Sequence, residues 1–281
     1  MIVLTVARFT FREAVRKKVL LGAGVLSLGF LGLYALGAFL AYGDFARENL
    51  ARARAVDLQP TIATALGLAG LYVVNFLAGA LAIFTAVGTI AGEIDSGTLH
   101  AILPKPIRRW QVLLGKWLGY AVMLVSYLAL MSAGVVLIIY YSWGVLLQQP
   151  VLGVAVMALC ALLLLSLTIL GSTIFTTLAN GIVVFMLYGV GLMGGFVEQI
   201  GSVLRNETMV NIGIVSSLII PSDVLWKMAS YSMQTRDMIA QAVVTPFFGG
   251  SPPSPAMIAY AIAYTAAAVV LAVVVFDRRD L

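Results

Sequence analysis

One apolar run decides what kind of protein this chain can be. Residues 151–200 carry a single charge, Glu198, in fifty positions. As a helix that run would be about 75 Å long at 1.5 Å per residue. A bilayer hydrocarbon core is about 30 Å thick. One crossing is too short for the run, so it must turn back within it. The motif "LANG" (178–181) is the expected turn, because Asn180 and Gly181 suit left-handed backbone conformations.

The rest of the chain repeats the pattern. Apolar segments at about 19–43, 65–91, 117–141, 151–178, 181–200 and 256–276 are each long enough to span. With 62% hydrophobic and 10% charged residues there are too few charges to coat a globule of 281 residues. The expected fold is an all-α integral membrane protein with six transmembrane helices. Its two parts are an amphipathic helix over 1–18 and one six-span transmembrane domain over 19–281. The first apolar run is too long and its flank too amphipathic for a cleavable signal peptide, so the first span is expected to stay.

In residues 2–18, Val3, Ala7, Phe11 and Ala14 share one face, and Arg8, Arg12 and Arg16 form a separate stripe. An apolar stripe beside a basic one suits a helix lying at an anionic membrane surface. Six spans put both termini on one side. With the N-terminus cytoplasmic, 11 of the 17 Lys and Arg fall on inner segments and 6 on outer ones. The positive-inside rule therefore places both termini in the cytoplasm of a cell (plasma or inner) membrane. On the outer side, residues 201–255 contain "IIPSDVLWKMASYSMQ", which reads as helices at or in the outer leaflet. Ser222 is the expected cap there, and Asp223 suits the helix's positive end. The glycine pairs Gly88/Gly92, Gly115/Gly119 and Gly191/Gly195 permit close helix packing.

Several chemistries lack their residues. One histidine, His100, and one cysteine, Cys160, leave no His/Cys metal set and no Ser/His/Asp set. No G-x-x-x-x-G-K-[ST] loop is present to hold nucleotide phosphates. No catalytic, metal or cofactor site is expected in the chain, and nothing marks it for nucleic acid. Asn75 in the second span and Glu198 at the end of the fifth are the polar residues closest to a possible substrate path. Asn75 could equally make an interhelical hydrogen bond, and Glu198 could simply snorkel to the surface. No series of titratable groups crosses the spans, so energy for any transport would come from elsewhere.

The cytoplasmic stretch between spans two and three, "GEIDSGTLHAILPKPIRRWQVLLGK" (92–116), is the most distinctive. Ser96 can cap a short helix over 96–103 with Leu99, Ile102 and Leu103 on one face. Pro104 and Pro106 end it, and Pro106 can open the next helix. From the residues alone this reads either as a rigid docking knob or as a solvated loop with ordinary inner charges.

The same stretch resembles the signature of ATP-binding-cassette permeases of the second exporter type. Glu93, Gly97, Thr98, Leu99, Pro106, Arg109, Gly115 and Lys116 carry the likeness, and His100 stands where an acidic residue is more usual. "ARFTFREAVRKKVLL" near the start and "FDRRDL" at the end are also similar to that family. The outer "PSDVLWKMASYSMQ" looks like the permeases of nitrous-oxide-reductase maturation. The resemblance implies a transport subunit, not an enzyme. It implies export driven by a separate cytoplasmic ATPase that binds ATP and Mg, with a second permease copy completing a homodimer. Glu93, Gly97, Thr98, Leu99, Leu103, Pro106, Arg109 and Lys116 would then couple the chain to the ATPase. An ATP-independent channel or scaffold, or a membrane-embedded lipid-modifying enzyme, are the competing readings.

Overall fold

The computed structural model describes residues 2–16, 18–52, 58–95, 108–235, 238 and 254–279. Their regular structure is entirely helical: α1 (Ile2–Arg16), α2 (Lys18–Arg52), α3 (Gln59–Ala86), α4 (Ala91–Asp95), α5 (Arg109–Trp143), α6 (Pro150–Ile174), α7 (Thr177–Leu204), α8 (Glu207–Ile219), α9 (Ser222–Met233) and α10 (Ala256–Arg278). Six stretches are long and apolar enough to cross a membrane: Leu21–Arg47, Gln59–Glu93, Arg109–Trp143, Pro150–Ile174, Thr177–Leu204 and Ala256–Arg278. The residues predicted to form a knob, 96–103, and Pro104 and Pro106 lie outside the described residues.

α3 and α6 form the centre, with 61% of each apolar window buried, against 11% for α2 and 22% for α10. Leu68, Leu71, Val74 and Ala78 of α3 pack with Leu124 and Leu128 of α5 and Met157 and Leu164 of α6 in one cluster. The outlying α2 is fastened by polar clips. Ser27 and Tyr127 hydroxyls are 2.6 Å apart, Tyr34 donates to the Leu66 carbonyl (2.9 Å), and the Trp143 indole donates to the Ala38 carbonyl (3.1 Å). Such bonds are the natural fasteners in a medium where burying apolar surface gives no drive for helices to associate.

The turn inside 151–200 lies earlier than the sequence suggested. α6 ends at Ile174, and Phe175 and Thr176, both extended (φ −101°, ψ 162° and φ −66°, ψ 159°), reverse the chain into α7. Asn180 is not a turn residue. It sits inside α7, fully buried, and its amide donates to the carbonyls of Thr168 and Val87, both at 2.9 Å. A buried amide with two backbone partners explains an Asn that sequence reading assigned to a turn.

Each glycine pair meets a partner. A Cβ on Gly119 would lie 2.7 Å from the Ala7 carbonyl oxygen and 2.8 Å from the Thr10 Cβ, and one on Gly115 would lie 2.6 Å from the Val6 Cβ. α1 therefore packs on the start of α5, with Thr10 and Ala14 buried and Arg8 and Arg12 exposed. Its face is wider than the expected Val3–Ala7–Phe11–Ala14 stripe, because Val6 and Thr10 also meet α5. Gly191 and Gly195 close on Ser222 and Asp223 of α9, and Gly88 on Thr177.

Gly119→Val should undock α1, since overpacking of this kind costs roughly 1–3 kcal/mol. The expected result is a lower unfolding temperature and faster tryptic cleavage at Arg8 and Arg12. Gly22→Ala, with nothing within 4 Å of the added carbon, should leave both unchanged.

Candidate functional site: an inner platform and an outer re-entrant hairpin

The second span does not run straight to the end that leads into residues 96–107, the end of the bundle that also carries the last residues of α10 and is termed inner for that reason alone. After Ala86 the helix loosens into turns over 87–90 before α4 resumes. A break of this kind frees backbone groups, and in lipid each unsatisfied one costs several kcal/mol. Three neighbouring spans supply the partners. The Ser172 hydroxyl of α6 accepts from the backbone N–H of both Ile90 (2.8 Å) and Ala91 (3.2 Å). Asn180 of α7 donates to the Val87 carbonyl. Lys116 of α5 donates to the Thr89 carbonyl at 2.9 Å and pairs with the Glu93 carboxylate. Lys116 is 8% exposed, so its charge is compensated by that pair in a setting where a lone ammonium would be expensive.

The start of α5 is bound as well. Gln111 closes the first turn by accepting from the Arg108 N–H at 3.2 Å. The Arg109 guanidinium donates to the carbonyls of Phe276 (3.3 Å), Asp277 (3.4 Å) and Arg279 (2.6 Å) at the end of α10. These are the orphan carbonyls of a helix C-terminus, where a cation is also favoured by the helix dipole. Arg279 in turn donates to the Thr173 carbonyl at the end of α6 (2.7 Å). The Trp117 indole donates to Ser166 (2.9 Å). The inner ends of five spans thus form one hydrogen-bonded platform, from which residues 96–107 leave at Asp95 and return at Arg108.

Of the residues expected to couple the chain, Glu93 and Lys116 are in direct contact, and Arg109 belongs to the same platform through α10. Gly97, Thr98, Leu99, Leu103 and Pro106 lie outside the described residues. Ser172, Asn180 and Arg279 were not among the candidates. Ser172 is one hydroxyl in an apolar run, Asn180 reads locally as a turn residue, and Arg279 as a terminal stop charge. Only the distant carbonyls and amides they meet reveal their roles.

On the opposite side, α7 turns at Arg205 (φ 52°) and Asn206 into α8, which runs back along it. Asn206 caps α8 by accepting from the Met209 N–H (3.2 Å), and Glu207 lies in its positive first turn. α8 and α9 meet at 101° across Ile220 and Pro221. The contacts place this bend deep. Ser222 lies beside Cys160, midway along α6, and Met233 beside Gly153 near its outer end. The pair is a re-entrant hairpin. The expected Ser222 cap is not formed: Pro221 holds the cap position and Ser222 is the first helical residue. Its hydroxyl meets Gly191 instead, in space that a Cβ would fill.

A partly buried ion cluster, with Asp223 buried and Lys227 and Glu198 half-buried, holds the hairpin to α7. Lys227 lies 2.8 Å from Asp223 and 3.0 Å from Glu198. Glu198 is therefore paired with α9. Asn75 is buried in α3. Tyr72 and Trp226 meet edge to face at 5.3 Å and join α3 to α9. Among the described residues no group of three or more His, Cys, Asp or Glu could hold a metal ion.

An ABC-2 family transporter protein is the description of the family that matches residues 4–281, nearly the whole chain. The chain belongs to that family. It is a membrane permease subunit of an ABC transporter, a multi-pass integral membrane protein, and a transport subunit rather than an enzyme. Membership implies a cytoplasmic ATPase partner in general. No curated protein matches the chain.

Ser172→Ala leaves two buried N–H groups of the permease without their acceptor. Each is worth roughly 1–3 kcal/mol, so a lower unfolding temperature in detergent is expected. Unchanged stability would mean that the break at 87–90 does not depend on this hydroxyl.

Proposed function

We propose that the permease exports its substrate by coupling to ATP hydrolysis in a separate cytoplasmic subunit, and that residues 96–107 are where that subunit grips. The observation that carries this reading is the anchoring of both ends of that segment. Glu93 is fixed to Lys116 just before it, and Arg109 to the end of α10 just after it. A push on a segment held this way is passed to spans two, three, four, five and six together instead of being lost in a slack loop. Ser172 and Asn180 are part of the same fastening.

ATP and Mg bind the partner in this reading, and this chain contributes no catalytic group. Two permease copies flank the path, both termini face the cytoplasm, and α1 lies at the inner surface with Arg8 and Arg12 toward anionic lipid. The exposed Leu4 and Phe9 on α1 support that placement. The likeness of residues 221–234 to nitrous-oxide-reductase maturation permeases names a subgroup to test and no substrate.

Mild solubilisation should recover a nucleotide-binding subunit in about equal amount with the permease. Gly97→Pro should abolish that recovery while the permease still folds. Glu93→Ala should lower coupled ATP hydrolysis more than it lowers assembly, because it frees one anchor of the segment without altering the segment itself. Recovery of the chain alone from wild-type membranes would move the reading to an ATP-independent channel, and full coupling in both variants would place the ATPase contact elsewhere than residues 96–107.

A further inference from the structure

The last span joins the inner platform to the outer hairpin, although it is one of the least buried. At its inner end Arg109 grips three terminal carbonyls of α10, and Arg279 ties α10 to α6. At its outer end the Tyr260 hydroxyl donates to the Leu218 carbonyl (2.6 Å) and the Tyr264 hydroxyl to the Ile219 carbonyl (3.0 Å). Leu218 and Ile219 are the last two residues of α8, so these carbonyls belong to the bend of the hairpin. They have no helical N–H to accept from beyond the bend, and the two tyrosines, one helical turn apart, satisfy them.

The middle of the face that α10 turns inward is lined by small side chains, with the large Phe276 buried on the same face at its foot. Ala261, Thr265, Ala268 and Ala272 are buried at three- and four-residue spacing, and the Thr265 hydroxyl is turned back on the Ala261 carbonyl (2.7 Å). Small side chains do not interlock deeply with a neighbour, so such a face permits the small sliding of packed helices seen in shear motions. The hydrogen bonds at the two ends are directional. A helix is stiff along its axis. The combination is a rod fixed at both ends, with small side chains along the middle of its inward face and Phe276 seated at its foot.

We propose that α10 is a strut that carries movement of the 96–107 segment to the re-entrant hairpin, with Arg109, Tyr260 and Tyr264 as its positioning residues. The proposal rests on the permease reading. It adds that the outer hairpin responds to events at the inner platform through the last span, and that two tyrosine hydroxyls make that connection.

The test uses single cysteines in a Cys160→Ala background, with the permease in lipid nanodiscs, where both faces of the bilayer are open to reagent and nucleotide, together with its ATPase subunit. Asn211→Cys, exposed on α8, reports the hairpin, and Arg108→Cys, exposed at the foot of α5, reports the platform. The rate of reaction with a membrane-impermeant maleimide is measured without nucleotide and with ATP and vanadate. Both rates should change by about fivefold, the lower end of allosteric coupling factors. In Tyr260→Phe/Tyr264→Phe the Arg108→Cys response should persist and the Asn211→Cys response should vanish, with each single variant intermediate. Persistence of the outer response in the double variant would overturn the strut, as would its absence in the parent while the inner response is present. Loss of both responses in the double variant would also overturn it, by showing that the tyrosines serve the fold. No inner response in the parent would remove the proposed coupling through residues 96–107 and the strut with it.

Discussion

A helix that breaks inside a bilayer exposes backbone N–H and C=O groups to a medium that cannot bond them. Among the described residues the helices break in this way at residues 87–90 and at 219–222, and the architecture follows from how the freed groups are met. At the inner break Ser172, Asn180 and Lys116 reach in from three other spans. At the outer one Tyr260 and Tyr264 reach in from the last. A single long-range side chain at each of these points does what water would do in a soluble protein. The spans are therefore joined by particular side chains at particular heights, not only by general packing.

That arrangement suits a subunit that does no chemistry of its own. The centre of the bundle, α3 and α6 with α5, is largely apolar, and two groups of polar side chains fasten it at two levels. The inner level binds five spans at the base of the segment proposed to meet the ATPase. The outer level fastens a re-entrant hairpin through the Glu198–Lys227–Asp223 cluster. Two carboxylates on one lysine leave the cluster with an excess negative charge by formal count. Removing Lys227 would be far more costly than replacing all three residues by apolar ones, as for buried ion groups generally.

Six candidate spans, a helix at the N-terminus and further helices before the last span are legible in the sequence because they rest on length and periodicity. The family is legible because its signature is local, in residues 92–116. What escaped was set by contacts distant in sequence. Asn180 looks like a turn former until its amide finds Val87, 93 positions away. Ser222 looks like a cap until the helix begins one residue earlier and the hydroxyl packs against Gly191. Glu198 and Asn75 drew notice as polar residues in apolar runs, and for Glu198 the partner, Lys227, lies on a helix whose depth no local pattern reveals. Tyr260 and Tyr264 resemble the interfacial aromatic residues of many spans, and their partners are backbone carbonyls that only a bend exposes.

The central claim is that the anchored segment between Glu93 and Arg109 receives the force that drives this permease. The most direct measurement is a single-particle structure of the permease with its co-purified ATPase in a lipid nanodisc. The account predicts the ATPase seated on residues 96–107, with the Glu93–Lys116 pair and the Arg109 clamp intact beneath it. An ATPase attached elsewhere on the permease, or a segment facing the opposite side of the membrane, would contradict it.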